Sequence, residues 1–289
     1  MEGDLLMTQT TVNDRHPYSW AVDRTEEDRR LAAQSRLLDP WTEQLLRQAG
    51  LRTGMHVVDL GSGAGDSAIV AARLVGPTGS VLGVERSPEQ VALARRHVAD
   101  LGLSNVTFRV GDVAALEEVL ADHPVPVDAV IGRLILMWVP ERDALLRACA
   151  RSLPPGALVW FLDVDATYDY AVPSSPLWDR LRGWVVQTLV ALGAETRMGP
   201  KLHRAFRDAG LPSPLLESRT IMAGAQTAPL WFALNAVRGF LPAMEALGVA
   251  SAAEVAIDTL EARLTADLAA NDAVMIAPPF TAAWARVPA

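Results

Sequence analysis

The chain has 289 residues, half of them apolar and 21% charged, with a formal net charge of -8. That composition excludes a disordered chain and fits one large domain or a core with a smaller second lobe. The acid excess argues against a nucleic acid or an anionic membrane as partner, and a single cysteine, Cys149, excludes a disulfide framework or a zinc set.

The opening MEGDLLMTQTTVNDRH has neither the basic start nor the apolar run of a secretory signal. The most apolar long stretch, IMAGAQTAPLWFALNAVRGFL, is broken by Gln226, Pro229 and Arg238 before it reaches the roughly 20 clean residues a bilayer span needs. A cytoplasmic protein is expected. HPYSWAVDR is aromatic and non-periodic, a candidate arm or lid carrying His16, Tyr18 and Trp20. A helix follows over 25–49. Thr25 to Asp28 resembles a capping box with Asp for the usual Glu. Leu31, Leu37, Leu38, Leu45 and Leu46 recur at helical spacing, and Gly50 stops the run.

From residue 55 strands and helices alternate. HVVDLG, SVLGVER, VTFRVGD, VDAVIGRL and ALVWFLDVD read as strands; DSAIVAARLVG, PEQVALARRHVADLG and ERDALLRACARSL read as helices. Continuous apolar strands between helices imply a parallel sheet covered on both faces, with right-handed crossovers. After Asp165 a Pro/Ser loop leads into an aromatic helix, and GPKLHRAFRDAGL is a core-type helix. LLESRTIMAG is a sixth strand, residues 225–271 are mostly helical, and AVMIAPPFTAAWARVP closes the chain as a last strand and turn. The expected fold is α/β: a doubly wound, mostly parallel, seven-stranded Rossmann-like sheet with a helical N-terminal arm and helical cap insertions. Its expected parts are an arm and helix over 1–50, a core over 51–166, a cap insertion over 167–195, a core helix and strand over 196–224, a second cap insertion over 225–271 and the last core strand over 272–289.

VVDLGSGAGD, residues 57–66, lies at the first strand-to-helix turn. Ligands of open parallel sheets sit beyond the carboxyl ends of the strands, and glycines there let a ligand lie against the backbone. Gly63 to Ala68 fits the dinucleotide pattern G-x-G-x-x-G/A, and Glu85, at the end of the second strand, suits a ribose-binding acid in that reading or another. Three further features separate the readings: Asp59 precedes the glycines, Gly111-Asp112-Val113 ends the third strand, and Pro154-Pro155-Gly156 precedes the fifth. In this order and spacing they resemble class I S-adenosylmethionine-dependent methyltransferases over about 51–166. DAVIGRLILMWVPERDALLRACARSLPPGALVWF and MGPKLHRAFRDAGLPSP are similar to the type 11, ubiquinone-biosynthesis-like branch, and beyond residue 165 the resemblance loosens.

The resemblance implies S-adenosyl-L-methionine as cofactor and S-adenosyl-L-homocysteine as product. The methionine part would lie over Gly61, Ser62 and Gly63, with Asp59 assisting at the ammonium. Glu85 would accept from both ribose hydroxyls, since a carboxylate takes two donors. Arg86 would flank the adenine, Asp112 would accept from its amino group, and the Val113 amide would lie nearby. Arg133, after the fourth strand, is read either as a partner of the cofactor carboxylate or a substrate anion, or as an ion pair closing the sheet edge. Trp138 is read either near the methyl group or as core packing.

In-line displacement at a sulfonium needs alignment and exclusion of water rather than a triad or a metal, and no metal is expected. His56, His97 and His123 read as structural or solvated. His203, Asp165, its neighbour Asp163 and Tyr18 are the candidates for acid–base or methyl-side roles. Trp20, Trp178 and Trp231 are candidate substrate contacts; with Trp184, Phe232 and Phe240, the tryptophans in the cap suggest a small, flat, aromatic, indole-like metabolite of secondary metabolism. Carbon or nitrogen methylation is favoured over a phenol oxygen. A nicotinamide-dependent oxidoreductase and a non-catalytic cofactor-binding module are the alternatives. The expected partner is a small molecule, with a homo-oligomer formed through the arm.

Overall fold

The computed structural model describes residues 24–225 and 230–289. His16, Tyr18, Trp20 and the arm lie outside the described residues, as do the side chains of Thr25, Asp28 and Leu31. Helix α1 (Arg24–Gln48) leads into strand β1 (His56–Leu60), helix α2 (Asp66–Val75), β2 (Ser80–Glu85), α3 (Pro88–Asp100) and β3 (Val106–Val110). Ser87 caps α3 by accepting from the Gln90 amide, with Pro88 at the first helical position. A short helix, α4 (Leu116–Ala121), precedes β4 (Ala129–Arg133), α5 (Arg142–Ser152) and β5 (Leu158–Val164). The alternation read from the sequence had no place for α4. It buries only Leu116 and Val119, too little periodicity to announce a helix.

Five strands pair in parallel in the order β3-β2-β1-β4-β5. Every residue of β4 and β5 is buried, as expected for strands covered on both faces.

Past β5 the chain makes β6 (Tyr170–Val172), α6 (Pro176–Ala191), α7 (Met198–Asp208), β7 (Leu215–Arg219) and β8 (Met222–Gly224). Then come α8 (Leu230–Ala246), α9 (Ala252–Val255), α10 (Ile257–Ala270), β9 (Val274–Ile276) and β10 (Phe280–Arg286). β10 pairs antiparallel with β5 and with β7, completing the seven-stranded sheet. Each of the two stretches read as a single late strand divides in two. β7 and β10 join the main sheet, whereas β8 and β9 join β6 in a second, three-stranded sheet. Pro278 and Pro279 cause the second break, because neither can donate to a ladder.

The small sheet and α6, α8 and α10 enclose a core of their own. Trp178, Leu181 and Trp184 pack with Val237, Met244, Leu260, Leu264 and Met275. Full burial of each such side chain contributes roughly 1.5–3 kcal/mol. Much of the tryptophan excess in the cap is therefore core. α1 packs on both α2 and α8, joining the sheet domain to the cap. No helix among the described residues is long and apolar enough to cross a membrane.

Candidate cofactor and acceptor site

The turn after β1 is held from below. The amides of Gly61 and Ser62 both donate to the Val84 carbonyl, at 2.8 and 3.1 Å, and His97 Nδ1 lies 3.2 Å from the Ala64 carbonyl oxygen. Gly61 has φ +65°, and a Cβ there would stand 2.4 Å from Ile135 Cδ1. Gly63 also has positive φ, +52°, yet a Cβ there would meet nothing within 4 Å, so its outer side is open. The loop thus presents bare backbone to the crevice beyond the sheet.

Acids from adjacent strands surround it. Asp59 is fully buried, and its Oδ2 accepts from Ser67 Oγ at 2.7 Å. Its Oδ1 and the buried Ser62 Oγ have no hydrogen-bond partner among the described residues, an arrangement expensive to leave unmet. Burial pushes the Asp59 carboxyl up to about 7, against the pull of Ser67 and Arg133. Glu85 Oε2 accepts from the Gly63 amide at 3.1 Å and Oε1 from the Ser87 amide at 2.9 Å. Exposed Asp112 caps the short turn at Val113–Ala115, accepting from the Ala114 amide at 2.9 Å. Partial burial lowers the Arg86 guanidinium, and the nearby Asp112 carboxylate opposes that shift. The orphaned oxygens and the open face of Gly63 suit a polar ligand with donors, laid on the loop.

Arg133, at the end of β4, is buried. Its Nη1 donates to Asp39 Oδ1 at 2.8 Å and to Thr42 Oγ1 at 3.1 Å, and its Nη2 lies 3.7 Å from Asp66 Oδ2. It therefore ties the sheet edge to α1 and to the start of α2. Burial raises Asp39 more than Arg133 lowers it. Asp163, in β5, is also fully buried and accepts from the Leu136 amide at 3.0 Å. Burial pushes its carboxyl up to about 8, opposed by the amides of Leu136, Met137 and Val164.

Beyond the carboxyl end of β5 a small, largely apolar pocket of about 60 Å³ lies between the sheet domain and the cap. Leu37, Ala166, Trp178, Val185, Phe232 and Met275 wall it, and Asp169 and Arg182 are its charged members. Phe232 stacks edge-on against Phe280, with ring centroids 5.7 Å apart.

A methyltransferase-domain family matches residues 51–209, more than half of the chain. The chain belongs to that family. The arsenite methyltransferase of Aquipseudomonas alcaligenes is 42% identical to this methyltransferase-family chain over 123 residues, which is 40% of the chain and 34% of that relative. The ubiquinone biosynthesis O-methyltransferase of Xylella fastidiosa (strain 9a5c) is 30% identical over 115 residues, 40% of the chain and 44% of the relative. The chain thus spans less than half the length of either relative. The crystal structure of phosphoethanolamine N-methyltransferase 2 from Haemonchus contortus, in complex with S-adenosyl-L-methionine, shares the fold. Its TM-score is 0.52 at 20% identity, covering 86% of this chain and 53% of that one. The seven-stranded sheet is the class I methyltransferase fold implied by the sequence.

Within this methyltransferase-family fold, Asp59, Gly61, Ser62, Gly63, Glu85, Arg86, Asp112 and Val113 come together along the ends of β1, β2 and β3. Other residues singled out in the sequence fall elsewhere. His203 is exposed on α7, next to the buried Leu202. Asp165 is a turn acid: its Oδ1 accepts from the Thr167 amide and hydroxyl at 3.0 and 2.6 Å, and its Oδ2 lies 3.6 Å from Arg197 Nε. Half-buried Trp138 packs against the main core from the short turn Leu136–Trp138. Trp178 lines the pocket, while Trp231 stacks on Phe232 with centroids 6.1 Å apart and is not among the pocket's lining residues. Asp39, Thr42 and Asp169 were not singled out in the sequence. Asp169 left one faint signal, an acid inside the aromatic stretch TYDY.

Proposed function

We propose that this protein is an S-adenosylmethionine-dependent methyltransferase acting on a small, largely apolar, flat acceptor, with carbon or nitrogen methylation favoured. The observation that carries the cofactor is the open face of Gly63 beside two buried polar atoms without partners among the described residues, Asp59 Oδ1 and Ser62 Oγ. When bound, the cofactor supplies a methyl group already activated on a sulfonium. Asp59 and the Gly61–Gly63 backbone hold its ammonium end, Glu85 its ribose, and Asp112 with Arg86 its adenine. The rest of the chain's work is to align the acceptor and exclude water, for which the cap and its apolar pocket are suited.

Support for an apolar acceptor comes from the pocket, walled by Trp178, Phe232, Leu37 and Val185, with no lysine among its described lining residues. The acceptor named for the arsenite relative fits this chain poorly. A soft, thiophilic centre calls for thiolate ligands, and Cys149 is wholly buried in α5 with its thiol pushed up to about 12. An indole-like metabolite of secondary metabolism suits the walls better.

The test is calorimetric titration with S-adenosylhomocysteine and, separately, with NADPH, followed by incubation with methyl-labelled cofactor and a metabolite extract. Binding of the first ligand and label in an apolar small molecule are expected. Binding of NADPH alone would overturn the assignment.

A further inference from the structure

Asp169 stands six residues after Asp163 of β5, just before β6, and only 9% of it is exposed. Its Oδ1 accepts from Trp178 Nε1. Its Oδ2 accepts from no described residue, although Asp169 lines the cap pocket. Accepting one indole N–H asks only for a neutral oxygen. A carboxylate adds a second oxygen, which is left for a donor from a molecule in the chamber.

The carboxylate is also held rigidly. The Trp178 amide donates to Ser175 Oγ at 3.1 Å, and the Ser175 hydroxyl in turn donates to Asp267 of α10. The indole that grips Asp169 is thus fixed at the start of α6, against the cap's own core. Arg182 lines the same pocket; its Nη2 lies 3.9 Å from Asp179 Oδ1 rather than on Asp169, and its buried Nε has no partner among the described residues, so an acceptor on the bound molecule can meet it. Its charge still acts on the Asp169 carboxylate. With a guanidinium already near, the chamber does not call for a cationic ligand, and a neutral donor completes it. The lining residues include none from the glycine loop.

We infer that Asp169 is a specificity-determining anchor for the acceptor, its free Oδ2 receiving one O–H or N–H of a neutral, flat, otherwise apolar ring system seated between Trp178 and Phe232. This rests on the methyl-transfer reading for what happens to that molecule, but not for its binding. The anchored donor is separate from the methylated atom, and Asp169 positions the acceptor without touching the reacting centre.

The experiment uses the full chain and two neutral bicyclic probes, indole and 1-methylindole, which differ in one N–H donor. Ligand-observed NMR titrations give both dissociation constants. At about pH 9, where the carboxyl is ionised, wild type is expected to prefer indole by roughly tenfold, the range of a hydrogen bond to a charged acceptor. Asp169→Asn, which keeps an oxygen, should retain a reduced preference, and Asp169→Leu should bind both probes equally. Should Asp169→Leu fail to fold, Val185→Trp, which fills the pocket and leaves the carboxylate, should abolish indole binding. Equal affinities in wild type, no binding of either probe, a preference that survives Asp169→Leu, or indole binding untouched by Val185→Trp would each overturn the inference. S-adenosylhomocysteine is titrated into the same samples. Its failure to bind would sink the methyl-transfer reading while leaving the probe contrast intact.

Discussion

The Gly63 amide donates to Glu85 Oε2 at 3.1 Å, so the acid that ends β2 also shapes the loop that follows β1. With the Ser87 amide on its other oxygen at 2.9 Å, Glu85 is held in place, with lone pairs left for two more donors. Glu85→Ala is expected to weaken S-adenosylhomocysteine roughly a hundredfold or more, since each hydrogen bond to a charged group is worth about 1.5–3 kcal/mol. Because two loop amides lose their partner as well, the melting temperature should fall by a few degrees. Glu85→Gln keeps an uncharged acceptor and should lose about tenfold. Calorimetry on the three proteins checks this, and equal dissociation constants would remove Glu85 from the ribose site.

Gly61 and Gly63 share a left-handed backbone but differ in what surrounds them. At Gly61 an added methyl collides with Ile135, so Gly61→Ala should cost stability first, on the order of 2–4 kcal/mol from overpacking and backbone strain. At Gly63 the methyl enters open space. Gly63→Ala should therefore cost only about 1–2 kcal/mol of strain while weakening S-adenosylhomocysteine by more than tenfold. Thermal melts read beside titrations separate the two. Parallel losses of stability and affinity in both variants would contradict a ligand lying over Gly63.

The parallel core of the sheet was legible because its central strands β1, β4 and β5 are apolar on both faces and punctuated by glycine, proline and acids, features set within a few residues of chain. The proposed cofactor-binding acids were found in the same way: Asp59 lies near the end of β1, Glu85 ends β2 and Asp112 stands two residues past β3. What eluded the sequence depends on partners far apart in the chain. The small sheet pairs residues 170–172 and 222–224 with 274–276, short segments without their own alternation. The Arg133 site draws on Asp39 and Thr42, more than 90 residues away. His203 is exposed on α7, a matter of helical phase that residue type does not report.

The Arg133 cluster has a stability signature of its own. Removing one partner of a buried pair leaves an uncompensated charge, which costs roughly 3–5 kcal/mol. Arg133→Met should therefore lower the melting temperature by several degrees, with S-adenosylhomocysteine affinity changing less than about fivefold. Adding Asp39→Asn should restore part of the loss, because the stranded carboxylate is then gone. A large fall in affinity at unchanged stability would instead place the guanidinium on the cofactor.

Asp163 makes stability depend on pH in a definite direction. Its carboxyl rises from the usual 3.8 to about 8 because burial disfavours the charge. An acid raised in the folded state contributes stability that is fully present below its unfolded value. That contribution is lost as pH rises through the folded one. Wild type should thus lose stability between about pH 4 and pH 8 from this group, on the order of a few kcal/mol. Asp59 and Asp169, both raised to about 7 by burial, act in the same sense. Asp163→Asn keeps an oxygen for the Leu136 amide at no ionisation cost, so its melting temperature should decline less steeply from pH 6 to pH 9. The remaining slope belongs to Asp59 and Asp169. Melting curves of the two proteins at matched ionic strength decide the matter: a constant offset between them across that range would mean that Asp163 does not titrate there.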